Sequence, residues 1–279
     1  MGSAWCGRTR SAGLAERLDW MSCKNEQPLT ETPETRRWSI IAFDALSNLI
    51  SIIVPVFDED ATIAAVVSRL LTIDLPAPRE IIVVNDGSRD GTRQALDRLA
   101  GASALTIVHA DANRGKGSAV RSGLARSKGT ITAIQDADLE LDPAELAGLA
   151  EPILRGEAEV VYGSRFLGEV TGVPAITRIG NRLVNAATNV LYGSSLTDMG
   201  TCYKVMRGDI ARRLDLRANG FDIDSEITAK LLLAGYRIVE RPVTFSPRSR
   251  AAGKKTRWRD GVHAISTLTR HRLGFLGAP

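Results

Sequence analysis

The chain reads as an α/β protein built on a doubly wound, mostly parallel sheet flanked by helices. Three observations predict this. Short all-apolar runs such as Ile52-Ile53-Val54 and Ile81-Ile82-Val83-Val84 mark strands covered on both faces. Between these runs, apolar residues recur at helical spacing, which is the rhythm of parallel βαβ units. Polar clusters follow the runs at Phe57-Asp58-Glu59, Asn85-Asp86-Gly87-Ser88 and Asp136-Ala137-Asp138-Leu139-Glu140, where such sheets hold their ligands.

Taken in order, the first strand centres on Ile52–Val54. Asp60 then sits where an N-cap belongs, and Ile63, Val66, Val67, Leu70 and Leu71 follow at helical spacing. A second strand spans 80–84, a helix 91–100, a third strand 105–109, a helix 117–127 and a fourth strand 130–135. Beyond residue 150 the rhythm changes. A strand over 159–162 leads into Gly163-Ser164-Arg165-Phe166. The stretch 176–192 reads as an amphipathic helix with Ile176, Ile179, Leu183, Ala187 and Val190 on one face. A strand over 202–206, a helix over 225–233, a strand over 237–245 and a final helix near 257–273 complete the pattern. Residues 1–37 mix Gly, Ser, Thr, Pro and charges without a sustained period and read as a disordered leader, with Met21 a second candidate start. Residues 38–279 read as one domain.

Composition excludes several classes. The longest apolar stretch, 49–57, is broken by Ser51 and Pro55 and falls far below the ~18 residues of a membrane span. Residues 1–20 lack the apolar core of a secretory signal. Cys6, Cys23 and Cys202 are too scattered for a zinc site or a disulfide framework, which suits a reducing cytoplasm. A net charge of +4 is too modest to argue for nucleic acid. The three histidines, His109, His263 and His271, are dispersed.

The strongest chemical signal is the run Asp136, Asp138, Glu140 directly after a buried strand. Carboxylates at i, i+2 and i+4 of an extended turn converge on one hard divalent cation, Mg2+ or Mn2+, or else form an acidic turn capping the helix that begins near Pro143. Asp86, immediately after its strand, is placed to accept hydrogen bonds from a nucleobase or ribose. The plain alternative is turn chemistry, with Asp90 capping the next helix. Asn113-Arg114-Gly115-Lys116-Gly117 precedes a helix and suits an anionic ligand, or is an ordinary surface loop; its spacing is not that of a P-loop.

Pro55-Val56-Phe57-Asp58-Glu59, the 85–92 segment, 113–117, 136–140 and Gly163-Ser164-Arg165-Phe166 occur in the order seen in family 2 glycosyltransferases. The chain resembles the dolichyl-phosphate mannose synthase type, the polyprenyl-phosphate sugar synthases, over about residues 49–272. Asp198-Met199-Gly200-Thr201-Cys202-Tyr203-Lys204, 221–226 and Gly253-Lys254-Lys255 resemble a bacterial branch of that group. The resemblance implies the GT-A fold, with 49–162 as the nucleotide-binding half and 163–279 as the acceptor half. It implies an inverting, metal-dependent transfer of a hexose from a nucleotide-diphosphate sugar (GDP-mannose or a UDP-sugar) to polyprenyl phosphate, with Mg2+ or Mn2+ as cofactor. Carried over position by position, it implies a nucleotide-sugar pocket of Pro55, Phe57, Glu59, Val84, Asp86, Lys116, Asp136 and Ala137. Asp136, Asp138 and Glu140 become metal ligands, and Arg165, Arg178, Arg248 and Lys255 hold phosphate groups. Phe57, Asp58, Glu140 and Gly200 depart from the family's usual Tyr, Asn, Gln and acidic residue.

An acceptor that is already an anionic phosphate needs no strong base, whereas a hydroxyl acceptor does. Asp138 and Arg165 are therefore expected in the transfer step. Asp224 or Glu226 would be the base toward a hydroxyl, unless both simply complement a helix dipole. From 241 to 259 there are seven Lys or Arg and no Asp or Glu, beside an apolar stripe of Trp258, Val262, Ile265 and Leu268. This is a solvated loop, or a surface facing anionic lipid. The expected location is cytoplasmic with peripheral contact to an anionic membrane surface, and no nucleic-acid partner. Two other readings stay open: transfer to a glycan or small hydroxyl acceptor, and a non-catalytic module that binds sugar nucleotides.

Overall fold

The computed structural model describes residues 48–168, 175–248 and 258–274, so the expected leader and Lys255 lie outside the described residues. The elements are β1 (Ile50–Val56), α1 (Ile63–Thr72), β2 (Arg79–Asn85), α2 (Thr92–Asp97), β3 (Leu105–His109), α3 (Lys116–Leu124) and β4 (Ile131–Ile134). A 3-10 turn (Pro143–Glu145) then leads into α4 (Leu146–Leu154) and β5 (Val160–Ser164). The remainder is α5 (Ala175–Tyr192), β6 (Lys204–Arg207), α6 (Gly208–Arg213), α7 (Ile223–Leu233), β7 (Ile238–Pro242) and α8 (Trp258–Arg272).

The seven strands form one sheet in the order β3-β2-β1-β4-β6-β5-β7. β1 pairs in parallel with both β2 and β4, and every residue of β1 is buried. A strand covered on both faces has no polar side to alternate, which is why its sequence is an unbroken apolar run. Truncating Ile52 or Val83, both fully buried, leaves a cavity; such changes cost about 2–5 kcal/mol for an Ile→Ala. β6 runs antiparallel to β4 and β5, so the second half completes the same sheet without continuing its parallel direction.

Several expectations shift. Helix α1 starts after Thr62, not Asp60; the Asp60 amide instead donates to Asp90 Oδ2. Asp90 does not cap either: the N-cap of α2 is Gly91, and Asp90 accepts from the Thr92 amide at 2.9 Å as an Asx turn one residue ahead of it. The final strand ends at Pro242, which an edge strand tolerates; after one more bond from the Val243 amide to the Ser164 carbonyl (3.1 Å), Phe245 pairs only as an isolated bridge with Leu141. Of the stripe on α8, Leu268 is fully buried while Val262 and Ile265 are exposed.

What positions the site is the reversal of strand order around β1. Register sets Pro55 opposite Val84 and Val56 opposite Asn85, so Phe57 and Asp86 leave the sheet at one level. β4 ends beside them and releases Gln135 and Asp136. Ligands bind at such a switch point, beyond the carboxyl ends of the strands.

Candidate active site

The three strand ends are tied together before any ligand enters. Beyond β1, Asp58 adopts a left-handed backbone (φ 47°) and accepts from the Arg89 amide at 2.8 Å. The Glu59 amide donates to Thr92 Oγ1 at 2.8 Å, and the Thr62 hydroxyl donates to the Ala137 carbonyl at 2.7 Å. Pro55, Val84 and Ala137 are buried as the floor of this region, and Phe57 is half-buried at its edge.

Asp86 is buried, and its carboxylate accepts from the Arg114 amide (3.0 and 3.1 Å) and the Gly115 amide (2.7 Å). It therefore fixes the loop that opens α3. Gly115 takes φ +99°, and a Cβ there would stand 2.3 Å from the Asn219 carbonyl oxygen, so only glycine fits. The loop is clamped between Asp86 on one side and residues 218–219 on the other.

Four charges then run through the interior. Lys116 Nζ lies 3.0 Å from Asp136 and 3.3 Å from Asp224, and Lys204 Nζ lies 3.3 Å from the other oxygen of Asp224. Burial opposes the charge on Lys116, but its two carboxylate partners outweigh this and hold its pKa well above the ordinary value. Lys204 is wholly buried with Asp224 as its one carboxylate partner, and there burial wins and lowers its pKa. Its ammonium also donates to the carbonyls of Met199 (2.9 Å) and Thr201, and sits 4.7 Å from the centre of the Tyr162 ring. Burial pushes the Asp224 pKa up, but the two lysines prevail and lower it.

On the other flank, Arg165 grips Asp198 through Nε (2.7 Å) and Nη2 (2.8 Å) and stacks 5.1 Å from the centre of Phe245. Burial disfavours its charge, yet Asp198 more than compensates and raises its pKa. Arg248 reaches back to Glu59 (2.7 and 3.0 Å) and Asp138 (3.2 Å), and its backbone amide donates to Glu140 Oε1 at 2.8 Å. Arg248 Nε is buried without a hydrogen-bond partner.

The expected convergence of three carboxylates does not occur: among the described residues no group of three carboxylate, His or Cys side chains is placed to hold a metal ion. Leu139 is the reason. Its left-handed backbone (φ 58°) breaks the extended alternation on which the i, i+2, i+4 reading rested, so Glu140 turns to the Arg248 amide. Asp136 and Asp138 remain, and one or two carboxylates are what Mg2+ commonly takes from protein, with water and substrate phosphate completing its shell. Burial, then the negative charges of Asp136 and Glu140, push the Asp138 pKa up to about 6. That surplus of negative charge suits a divalent cation.

The structure brings Glu59, Lys116, Asp136, Asp138, Arg165 and Arg248 to this end of the sheet. It does not bring Glu226 or Arg178. Glu226 is buried two residues beyond Asp224, which turns it to another side of α7, and its carboxylate accepts from the Arg217 and Ala218 amides at 2.7–3.0 Å. Its work is to hold the 217–219 turn that clamps Gly115. Arg178 is exposed on α5. Sequence reasoning assigned no role to Asp198 or Lys204; Arg165 and Asp198 stand 33 positions apart, which leaves no spacing signal.

Residues 51–215 match the family described as glycosyl transferase family 2. The chain is a family 2 glycosyltransferase. Among curated relatives, this glycosyltransferase is 29% identical over 244 residues to undecaprenyl-phosphate mannosyltransferase of Micrococcus luteus, covering 80% of this chain and 98% of that protein. It is 28% identical over 214 residues to polyprenol monophosphomannose synthase of Mycolicibacterium smegmatis, covering 73% and 79%. It also matches the hexosyltransferase Agl6 of Haloferax volcanii at 26% identity, where it spans 55% of the relative's length. Glycosyltransferase AglD of the same organism is matched over only 33% of its length. Among solved structures, glucosyl-3-phosphoglycerate synthase from Mycobacterium tuberculosis, with Mn2+, UDP and glucosyl-3-phosphoglycerate bound, aligns with TM-score 0.63 at 18% identity over 91% of this chain and 87% of that one. That likeness establishes the GT-A fold, and the expected fold class holds.

Proposed function

We propose that this glycosyltransferase moves one hexose from a nucleotide-diphosphate sugar, GDP-mannose or a UDP-sugar, to polyprenyl phosphate with inversion. The observation that carries this reading is the occupation of both acids a hydroxyl acceptor would need as base. Asp224 is locked between two lysines with its pKa lowered, and Glu226 is committed to backbone amides. A phosphate oxygen needs neither. The names of the Micrococcus and Mycolicibacterium relatives support the same acceptor class.

In this reading the acceptor phosphate oxygen forms a bond to the anomeric carbon as the bond to the nucleoside diphosphate breaks. Arg165 and Arg248 hold the two anions together against their repulsion, with paired donor geometry that Lys lacks. The unpartnered Arg248 Nε supports a phosphate oxygen as its ligand. Asp86, Glu59 and the strand-end floor of Pro55, Val84 and Ala137 form the nucleoside pocket, with Phe57 as its stacking surface. Asp136 and Asp138 would hold Mg2+ or Mn2+, which, when bound, withdraws charge from the departing diphosphate as a Lewis acid. Residues 49–162 serve the donor and 163–279 the acceptor. The protein would work in the cytoplasm with peripheral contact to an anionic membrane surface. No described helix is long and apolar enough to cross a membrane.

A relic that only binds sugar nucleotides has no need of Asp136, Asp138 and Arg165 together. Transfer to a soluble hydroxyl acceptor is the competing reading. Incubating the purified chain with labelled GDP-mannose and UDP-sugars, with and without polyprenyl phosphate and with and without chelator, separates them. Metal-dependent label in polyprenyl phosphate is expected. Label entering only a soluble hydroxyl acceptor overturns the lipid reading.

A further inference from the structure

Helix α5 is amphipathic the wrong way round for a soluble surface. The side that packs on the protein carries Val184, Asn185, Thr188 and Asn189. Its amides bond the 194–199 loop: Asn185 Nδ2 donates to the Thr197 carbonyl and Asn185 Oδ1 accepts from the Met199 amide at 2.9 Å. The side that faces water carries Ile176 (75% exposed), Ile179, Leu183 (62%) and Val190 (84%), at spacings of three, four and seven that keep them on one stripe. Helix α8 packs against α5 and adds Val262 and Ile265, with Leu273 exposed one residue past its end. Isolated exposed apolar residues need no explanation, but seven along two adjoining helices form a patch that marks an interaction surface.

Charge identifies what covers it. α5 contains no Asp or Glu, and Arg178 and Arg182 are exposed along it. Arg270 and Arg272 are exposed beside Leu273 on α8. Arginines bordering a stripe of Ile, Leu and Val are the pattern of a helix that lies in an anionic membrane interface. The helix is also tied to the site: Asn185 of α5 bonds Thr197 and Met199, and Asp198 between them grips Arg165.

We propose that the joint outer face of α5 and α8 docks this enzyme on an anionic bilayer, so that α5 lies in the lipid interface next to the acceptor site. This rests on the polyprenyl-phosphate reading but is tested apart from it. The full chain is sedimented with vesicles of phosphatidylglycerol and phosphatidylcholine, and with phosphatidylcholine alone, at low and high salt. Light scattering records its mass in solution. The variant Ile179→Asp/Leu183→Asp replaces two exposed side chains and leaves the packed side intact. Expected are binding to the anionic vesicles that weakens with salt, at least about tenfold weaker binding of the variant, and unchanged turnover on a short, water-soluble isoprenoid phosphate. If the variant binds vesicles like the parent, another segment does the docking and the proposal is wrong. If the parent is a dimer that ignores vesicles and the variant is a monomer, a second copy covers the face and the proposal is equally wrong. Absence of transfer to any isoprenoid phosphate, with vesicle binding as expected, would sink the acceptor reading and leave the docking face standing.

Discussion

Arg248 and Glu59 form a two-pronged ion pair across 189 positions of the chain, Nη1 2.7 Å from Oε2 and Nη2 3.0 Å from Oε1. The same guanidinium touches Asp138 at 3.2 Å. A cation from the second half of the chain thus lies among acids of the first half, and hydrogen bonding to Glu59 raises its pKa despite burial.

Replacing Arg248 by Ala should lower turnover on polyprenyl phosphate roughly ten- to a hundredfold, the cost of one charged hydrogen bond, about 1.5–3 kcal/mol. Arg248→Lys should recover little, because an ammonium cannot match two carboxylate oxygens at once. Steady-state kinetics with varied acceptor check this; full recovery by Lys would mean that charge alone matters.

Asp138→Asn should nearly abolish transfer while leaving the fold intact. Stability without metal gives a second readout. The folded carboxyl titrates near pH 6 against an ordinary value of 3.8, so its protonated form favours the folded state. That contribution is present below about pH 4 and is lost as pH rises through about 6. Unfolding free energies from denaturant titrations in chelator should fall across this window by about 1–3 kcal/mol in the parent and stay flatter in the variant.

Lys204→Met should destabilise the protein by about 3–5 kcal/mol, because it strips a buried carboxylate of one partner. Adding Asp224→Asn should restore part of that stability. It should not restore turnover, since Lys116 and hence Asp136 lose their anchor. A double-mutant cycle in urea, run alongside activity, measures both.

Glu226→Gln should lower stability by about 1–3 kcal/mol, since one of the two accepting oxygens becomes an NH2 donor facing the Arg217 amide and the charge paired with Lys230 at 3.0 Å is lost. Residual turnover should keep the parent's pH profile. Loss of one limb of that profile would make Glu226 a base after all.

Strands β1, β2 and β4 were legible because burial on both faces removes every polar residue until the strand ends, and the ends are where Asp86 and Asp136 stand. The direction of β6 was not, since an apolar run carries no sign of which way it pairs. The role of Lys204 was hidden because a lysine in the middle of the expected 202–206 strand reads as the polar side of that strand, when its ammonium is in fact enclosed. The carboxylate run misled through one residue: nothing about Leu139 announces a left-handed turn. The apolar side of α5 was plain in the sequence, but periodicity shows that a helix has two faces without saying which one the protein keeps for itself.

The antiparallel β6 has a consequence for assembly. It joins the middle of the sheet, hydrogen-bonded to β4 on one side and β5 on the other, although it is made after both. Until residues 204–207 leave the ribosome, β4 and β5 each present an unpaired edge with apolar neighbours. Such edges invite pairing with other chains. The nascent enzyme thus passes through a vulnerable interval in which its first half is complete and its centre is open. Closing that gap needs contacts more than 70 residues apart, between Ile131 and Arg207 among others, which makes it a slow, non-local step of folding.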